Sequence, residues 1–419
     1  MKHLITPMLF LLTLGASAQV TDVLFVGNSF TGSNGMPEML YELALSKGDT
    51  MGYESSTPQT ATLDQHSTNL TTIDLMNDGG WEHIIIQEQG QLPIFALGEV
   101  ETTVFEPATE IIEYARQFSE CCMPIFFMTW GYEDGDTENC EDVPEACTYD
   151  GMTQLLSDRY MQMAQENNCW VAPIGEAWKY CRQITNDTIP LYEVDGYSPS
   201  LAGSYLTACV LYASIWGENP MGSVYYGGLP DDDGYLLQTV ANQIVLEQND
   251  DWNFISYLDA ELFFTIGDPF TTVDVETSIY VDSILVNYDG QIFNWQNGDG
   301  SSLILGEGTH YFEVEIYSNC VNEIGFFLDS LVIDGDVGID QLQRQYQLYP
   351  NPFDSEIRID GINPGTLVKM VDITGREVQC GKDYLTNSVR LMTSDLPVGT
   401  YFVILGDARN TKAIKVMKN

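Results

Sequence analysis

Residues 22 to 248 alternate short apolar runs with amphipathic stretches, and this alternation limits the available folds more than any other feature of the chain. The runs "DVLFVG" (22–27), "HIIIQ" (83–87), "MPIFFMTWG" (123–131) and "CWVAPIG" (169–175) are short and continuously apolar, as strands buried on both faces should be. The stretches between them have helical spacing. Residues 36–47 place Met36, Met39, Leu40 and Leu43 on one face, with Pro37 opening the helix and Gly48 closing it. Residues 101–118 repeat Val104, Ala108, Ile111, Ala115 and Phe118, and residues 150–167 repeat Met152, Leu155, Leu156 and Met163. Segments 200–216 and 236–247 also read as helices. Strands alternating with helices predict a parallel sheet covered on both faces, an α/β domain of three layers over residues 19–250.

The pattern changes after that. Short alternating runs such as "SIYVDSILVNY" and "HYFEVEIY", split by turns like "NGDG", predict a small β-sandwich over 255–338. "GIDQLQRQYQ" (338–347) reads as a polar connector. Residues 345–419 are β-rich again and predict a second small β-sandwich, which holds Lys412, Lys415 and Lys418. A chain of 419 residues, 44% of them hydrophobic, has room for several such cores.

The first 18 residues read as a signal peptide: Lys2, an apolar run over 5–14, then Ala16-Ser17-Ala18 before Gln19. The run is too short to span a bilayer, and no later segment has the length of a transmembrane helix. A secreted or cell-surface location follows. With 16 basic and 61 acidic residues the net charge is −45, which repels nucleic acid and anionic lipid and excludes both as partners. Nine cysteines leave at least one without an intramolecular partner. Cys140 and Cys147 bracket a short acidic loop and form the first candidate disulfide. No Cys/His spacing suggests zinc, and no metal or cofactor is expected. The acidic loop over 132–147 lacks the Ca²⁺-loop pattern and reads as solvated.

Three segments carry candidate chemistry. Ser29 in "VGNSF" follows the first strand directly and precedes a helix, whose free N–H groups and positive dipole end would favour an oxyanion. It is not the G-x-S-x-G elbow. Gln87, Glu88 and Gln89 end a central strand on the same edge of the sheet, where a side-chain amide can donate to an oxyanion. Asp195 lies in a loop leading into a helix with small residues Ala202, Gly203 and Ala208.

In this order these blocks resemble the SGNH (GDSL-type) hydrolase superfamily over residues 21 to about 248. The resemblance implies a flavodoxin-like sheet and a serine hydrolase acting on a small-molecule or glycan ester, with Ser29 as nucleophile. The oxyanion hole would draw on the Ser29 N–H, Thr60 and a glutamine, Gln87 or Gln89. Two positions depart from the family. Ser198 stands where D-x-x-H places its histidine, and a hydroxyl does not take up a proton near neutral pH. Gln59 and Thr60 stand where glycines are expected in the second block. His66, in a loop expected near the site, is the one candidate substitute base; His83 belongs to the far edge of the sheet and His310 to the β-sandwich. Two functions follow: an ester hydrolase, or a catalytically degenerate carbohydrate-binding or surface protein on the same scaffold. Finally, "YQLYPNPF" (346–353), "VKMVDITGREV" (368–378), "LPVGTYFVIL" (396–405) and "KAIKVMKN" (412–419) resemble the sorting domain of the type IX secretion system, which implies that machinery as a partner.

Overall fold

The structure, a computed structural model, describes residues 20–247, 252–254, 256–266, 271–305, 308–321, 324–333, 340–342, 347–349, 353–362, 367–372, 377–384, 388–394, 396–406 and 411–418. The signal peptide expected at 1–18 and most of the connector lie outside them.

Five parallel strands form the first sheet: β1 (Val20–Val26), β2 (Thr50–Ser56), β3 (His83–Ile86), β4 (Met123–Phe127) and β5 (Trp170–Ala172), in the order β2-β1-β3-β4-β5. This is the flavodoxin-like doubly wound order, with its switch point beside β1. The apolar runs become the central strands because both of their faces are covered. Val23 to Val26, Ile84 to Ile86 and Ile125 to Phe127 are all fully buried. β2 escapes sequence reading because it is an edge strand with a mixed burial pattern and no apolar run. The run at 169–175 yields a strand only as far as Ala172. Pro173 has no N–H for a ladder, and a helix starts at Ile174.

The helices are α1 (Ser29–Gly32), α2 (Met36–Lys47), α3 (Leu63–Thr68), α4 (Leu70–Asp78), α5 (Leu97–Val100), α6 (Glu106–Phe118), α7 (Tyr149–Asn167), α8 (Ile174–Thr185), α9 (Leu201–Trp216) and α10 (Asp231–Asn242). α2 packs with α9, and α9 with α10; α3 and α4 pack with α6. Right-handed crossovers put these two groups on opposite faces, giving three layers. α9 is buried without a break from Ala202 to Ile215, so it runs through packed protein rather than along a surface.

Two β-rich domains follow, each with its own core. The first contains β6 (Ala260–Ile266), β7 (Thr271–Thr277), β8 (Ser283–Tyr288), β9 (Gln291–Trp295), β10 (Gly300–Leu303), β11 (Gly308–Tyr317) and β12 (Gly325–Ile333), around Val286, Phe312 and Val314. β13 (Asp340–Leu342) and β14 (Gln347–Tyr349) come next, then β15 (Glu356–Asp360) and β16 (Leu367–Asp372). The last strands are β17 (Glu377–Val378), β18 (Gly381–Tyr384), β19 (Ser388–Met392), β20 (Gly399–Gly406) and β21 (Thr411–Lys418). The second core gathers Phe353, Ile357, Met370 and Val403. β13 corrects the polar-connector reading, since residues 340–342 pair with β12. β12 also pairs with β14 at Phe326–Leu348, so one antiparallel sheet runs from the first β-rich part into the second.

Cys140 is bonded to Cys147. A second disulfide, Cys121–Cys320, joins the α/β domain to the end of β11 across a separation of 199 residues, a pairing that spacing alone does not suggest. Among the described residues no helix is long and apolar enough to cross a membrane, and no group of three or more His, Cys, Asp or Glu side chains could hold a metal ion.

Candidate functional site

The site is built around the turn after β1. Val26 pairs with Ile86, so Gly27 and Asn28 lie level with Gln87 across the switch point. A side chain at Gly27 would come within 2.7 Å of Gln87 Oε1 and of Thr31 Oγ1, which is why the position has none. Gln87 is fully buried. Its Oε1 accepts from the Asn28 N–H and from Thr31 Oγ1, both at 2.9 Å, and its Nε2 donates to the Glu88 carbonyl. Asn28 caps the turn, accepting from the Phe30 N–H at 3.0 Å and donating to the Ala61 carbonyl at 3.0 Å. Gln87 is therefore a clamp on the serine turn. Its Oε1 is taken by the Asn28 and Thr31 contacts, and one of its two Nε2 hydrogens by the Glu88 carbonyl.

Ser29 is half-buried, and its Oγ makes no hydrogen bond among the described residues. Its N–H donates to the Gln59 carbonyl at 3.3 Å, so this expected oxyanion donor already has an acceptor. The expected helix behind Ser29 is a single turn, α1. Asn34 (φ 56°) and Gly35 (φ 67°) break it from α2, and the dipole offered to an oxyanion is correspondingly small. Thr60 is exposed between Gln59 and Ala61, whose carbonyls accept from Ser29 and Asn28. The Thr60 N–H has no partner among the described residues. Gln89 is half-buried; its Oε1 accepts from the Gln91 and Leu92 N–H groups at 3.0 and 3.2 Å, and its side chain also bonds the Tyr132 hydroxyl. Of the two glutamines, Gln89 is the one that reaches the surface.

Between them lies Glu88, fully buried. Burial pushes its carboxyl up to about 8, against the pull of the Gln89 and Leu63 N–H groups.

His66 does not reach Ser29. It is buried, its Nε2 is 2.8 Å from the Gly27 carbonyl and its Nδ1 is 2.8 Å from Thr72 Oγ1. A carbonyl can only accept, so Nε2 carries the proton and Nδ1 accepts from Thr72. Ser56 Oγ continues the chain at 2.8 Å from Thr72 Oγ1. Both ring nitrogens are occupied, and burial lowers the affinity of the ring for a further proton. His66 packs under the serine turn, with its ring nitrogens on Gly27 and Thr72 and no hydrogen bond to Ser29 among the described residues. His83 is also buried rather than on the surface, packed on Trp170 at the other end of its strand, and burial lowers it to about 4.

Asp195 is exposed and folds back on its own turn. Its Oδ1 accepts from the Tyr197 N–H at 3.0 Å and the Ser198 N–H at 2.8 Å. Burial opposes ionisation, but hydrogen bonds led by the Ser198 side chain outweigh it and hold the carboxyl below its ordinary range. Ser198 thus pairs with Asp195, and no hydrogen bond links either of them to Ser29 among the described residues.

Other residues join these pieces. Asn34 Nδ2 donates to the Pro199 carbonyl and to Ser204 Oγ, both at 2.9 Å, tying the serine turn to the last block. Trp130 stacks on Phe30 at 4.9 Å and donates from its indole N–H to the Tyr197 carbonyl at 3.0 Å. Tyr132 packs on Tyr197. The signal for the last two is "WGY" at the carboxyl end of a central strand, where ligands collect.

Residues 347–419 match the family described as "Secretion system C-terminal sorting domain". No curated protein matches the chain. Among solved structures, the chain is similar to a DUF4886 family protein from Bacteroides uniformis, with 19% identity, 54% of this chain and 95% of that one covered, and a TM-score of 0.46. It is similar to a candidate SGNH hydrolase from Slackia heliotrinireducens, with 23% identity, 47% and 100% covered, and a TM-score of 0.39. A member of the lipolytic protein G-D-S-L family from Veillonella parvula matches at 14% identity, 47% and 99% covered, with a TM-score of 0.35. The sorting-domain match bears out the reading of the last segment and gives the chain a secreted or surface-exposed location.

Proposed function

We propose that the α/β domain is an SGNH-type ester site that binds an acylated carbohydrate and turns it over poorly, because it lacks a general base. One observation carries this reading: the Asp195 carboxylate closes on Ser198, while the Ser29 hydroxyl has no hydrogen-bond partner among the described residues. A serine hydroxyl needs a base within hydrogen-bond reach, and neither Ser198 nor His66 provides one. Thr60 N–H and the side-chain amide of Gln87 or Gln89 would be the donors to an ester carbonyl at Ser29. Losing one triad member leaves only the rate that binding and the oxyanion hole supply.

The second reading is a slow ester hydrolase, favoured by the retention of Ser29 with its hydroxyl free at the carboxyl end of β1. Hydrolysis of p-nitrophenyl acetate by the full chain and by Ser29→Ala decides between them. Equal rates are expected. A rate that Ser29→Ala lowers, even one far below that of working enzymes, would establish the slow hydrolase instead.

A further inference from the structure

We propose that Tyr197, braced by Tyr132, is the stacking platform of a subsite for a neutral pyranose ring at the mouth of the Ser29 site. The proposal rests on the reading of that site as one for acylated carbohydrate and names how the sugar is held.

Tyr197 is 45% exposed, although its backbone is fixed on both sides. Its N–H donates to Asp195 and its carbonyl accepts from Trp130, each at 3.0 Å. Trp130 is fully buried and stacked on Trp178 at 3.8 Å with the rings 2° from parallel, so the anchor is rigid. The Tyr132 ring lies 5.6 Å from that of Tyr197 at 46°, and its hydroxyl donates to Gln91 Oε1 at 3.2 Å. The two rings form an open corner held from behind by the Gln89–Gln91 loop. An aromatic ring held in place and exposed loses little conformational freedom on binding and offers a large apolar face with a polar tip.

The corner is linked to the serine turn through Gly90. A side chain at Gly90 would come 2.6 Å from the Phe30 ring and 3.5 Å from the Tyr132 ring, so the residue following Ser29 and the ring that braces the platform flank the same glycine.

The surrounding charge selects the ligand. Asp195 and Glu133 are exposed carboxylates on either side of Gly196, and the Glu133 N–H donates to the Gly196 carbonyl at 2.8 Å. They can accept hydrogen bonds from hydroxyl groups and repel anions. A nucleotide would also stack through its base but carries phosphate into a chain of net charge −45. An acyl chain would find carboxylates beside the ring rather than an apolar slot. A neutral sugar has both the apolar C–H face and the hydroxyls that this arrangement fits.

The test is titration calorimetry in the Ser29→Ala background, where turnover does not enter. The probes are neutral acetylated oligosaccharides from xylan, mannan and cellulose, with oligogalacturonate as the anionic control. At least one neutral probe should bind more tightly than the control. Tyr197→Ala should weaken it about tenfold, the loss expected on truncating an aromatic anchor, while Tyr197→Phe stays within about twofold. Unchanged thermal unfolding of Tyr197→Ala shows that the effect is local. Binding of none of the neutral probes, tighter binding of oligogalacturonate, or equal affinity with Tyr197→Ala would overturn the subsite. The p-nitrophenyl acetate assay carries no sugar, so failure of the ester reading appears there and not in these titrations.

Discussion

The buried carboxyl of Glu88 lies between Gln87, which clamps the serine turn, and Gln89, which reaches the surface. Burial raises it from 4.5 to about 8, so folding takes up a proton between those values. Its contribution to stability is fully present below about 4.5 and is lost as pH rises through about 8. His83, at about 4 in the fold, has the opposite sign and finishes titrating by about 6.5, its ordinary value. The prediction concerns the range above 6.5: thermal unfolding of the wild type should fall between pH 6.5 and 9 more steeply than that of Glu88→Gln. Parallel curves would show that Glu88 is ionised in the fold. At this scale the sequence exposed Ser29 and Asp195, because each sits in a contiguous motif. It did not reveal that Gln87 clamps the serine turn or that His66 points under it. Both depend on the register of β1 against β3 and on the loop beneath it, which no local pattern encodes.

Among the elements, the strands buried on both faces and the long helices were legible because burial forces an apolar run or a helical period. β2 and α8 were not: one is an edge strand of mixed burial, and the other begins just after a proline that ends a strand. The contact between the α/β domain and β11 was also hidden, because it is made by residues distant in sequence. Cys121 is bonded to Cys320, Tyr280 donates to the Cys122 carbonyl at 2.7 Å, Tyr257 to the Cys121 carbonyl at 3.1 Å, and Arg116 donates to Tyr280 at 3.2 Å. These contacts make the β-rich part a fixed neighbour of the α/β domain rather than a loose spacer. Replacing both Cys121 and Cys320 by serine should destabilise the chain by about 2–4 kcal/mol, the usual worth of a disulfide closing a long loop. Denaturant unfolding with separate probes for the two parts checks this. An unchanged, single transition would mean that the hydrogen bonds alone hold the contact.

At the scale of the molecule, three structural parts have separable tasks. The sorting domain addresses the chain outward, the β-rich part is bonded to the α/β domain, and the α/β domain presents Ser29 at its switch point. A net charge of −45 keeps such an exported protein soluble and turns anionic ligands away. In the proposed reading this scaffold is an ester site whose missing part is its base. The most direct measurement is p-nitrophenyl acetate hydrolysis by the full chain carrying Ser198→His, beside the wild type and the double variant Ser29→Ala, Ser198→His. The account predicts a rate at least about 100-fold above wild type that disappears in the double variant, since general-base catalysis contributes about 10²–10⁴-fold. A Ser198→His rate no higher than wild type would contradict it.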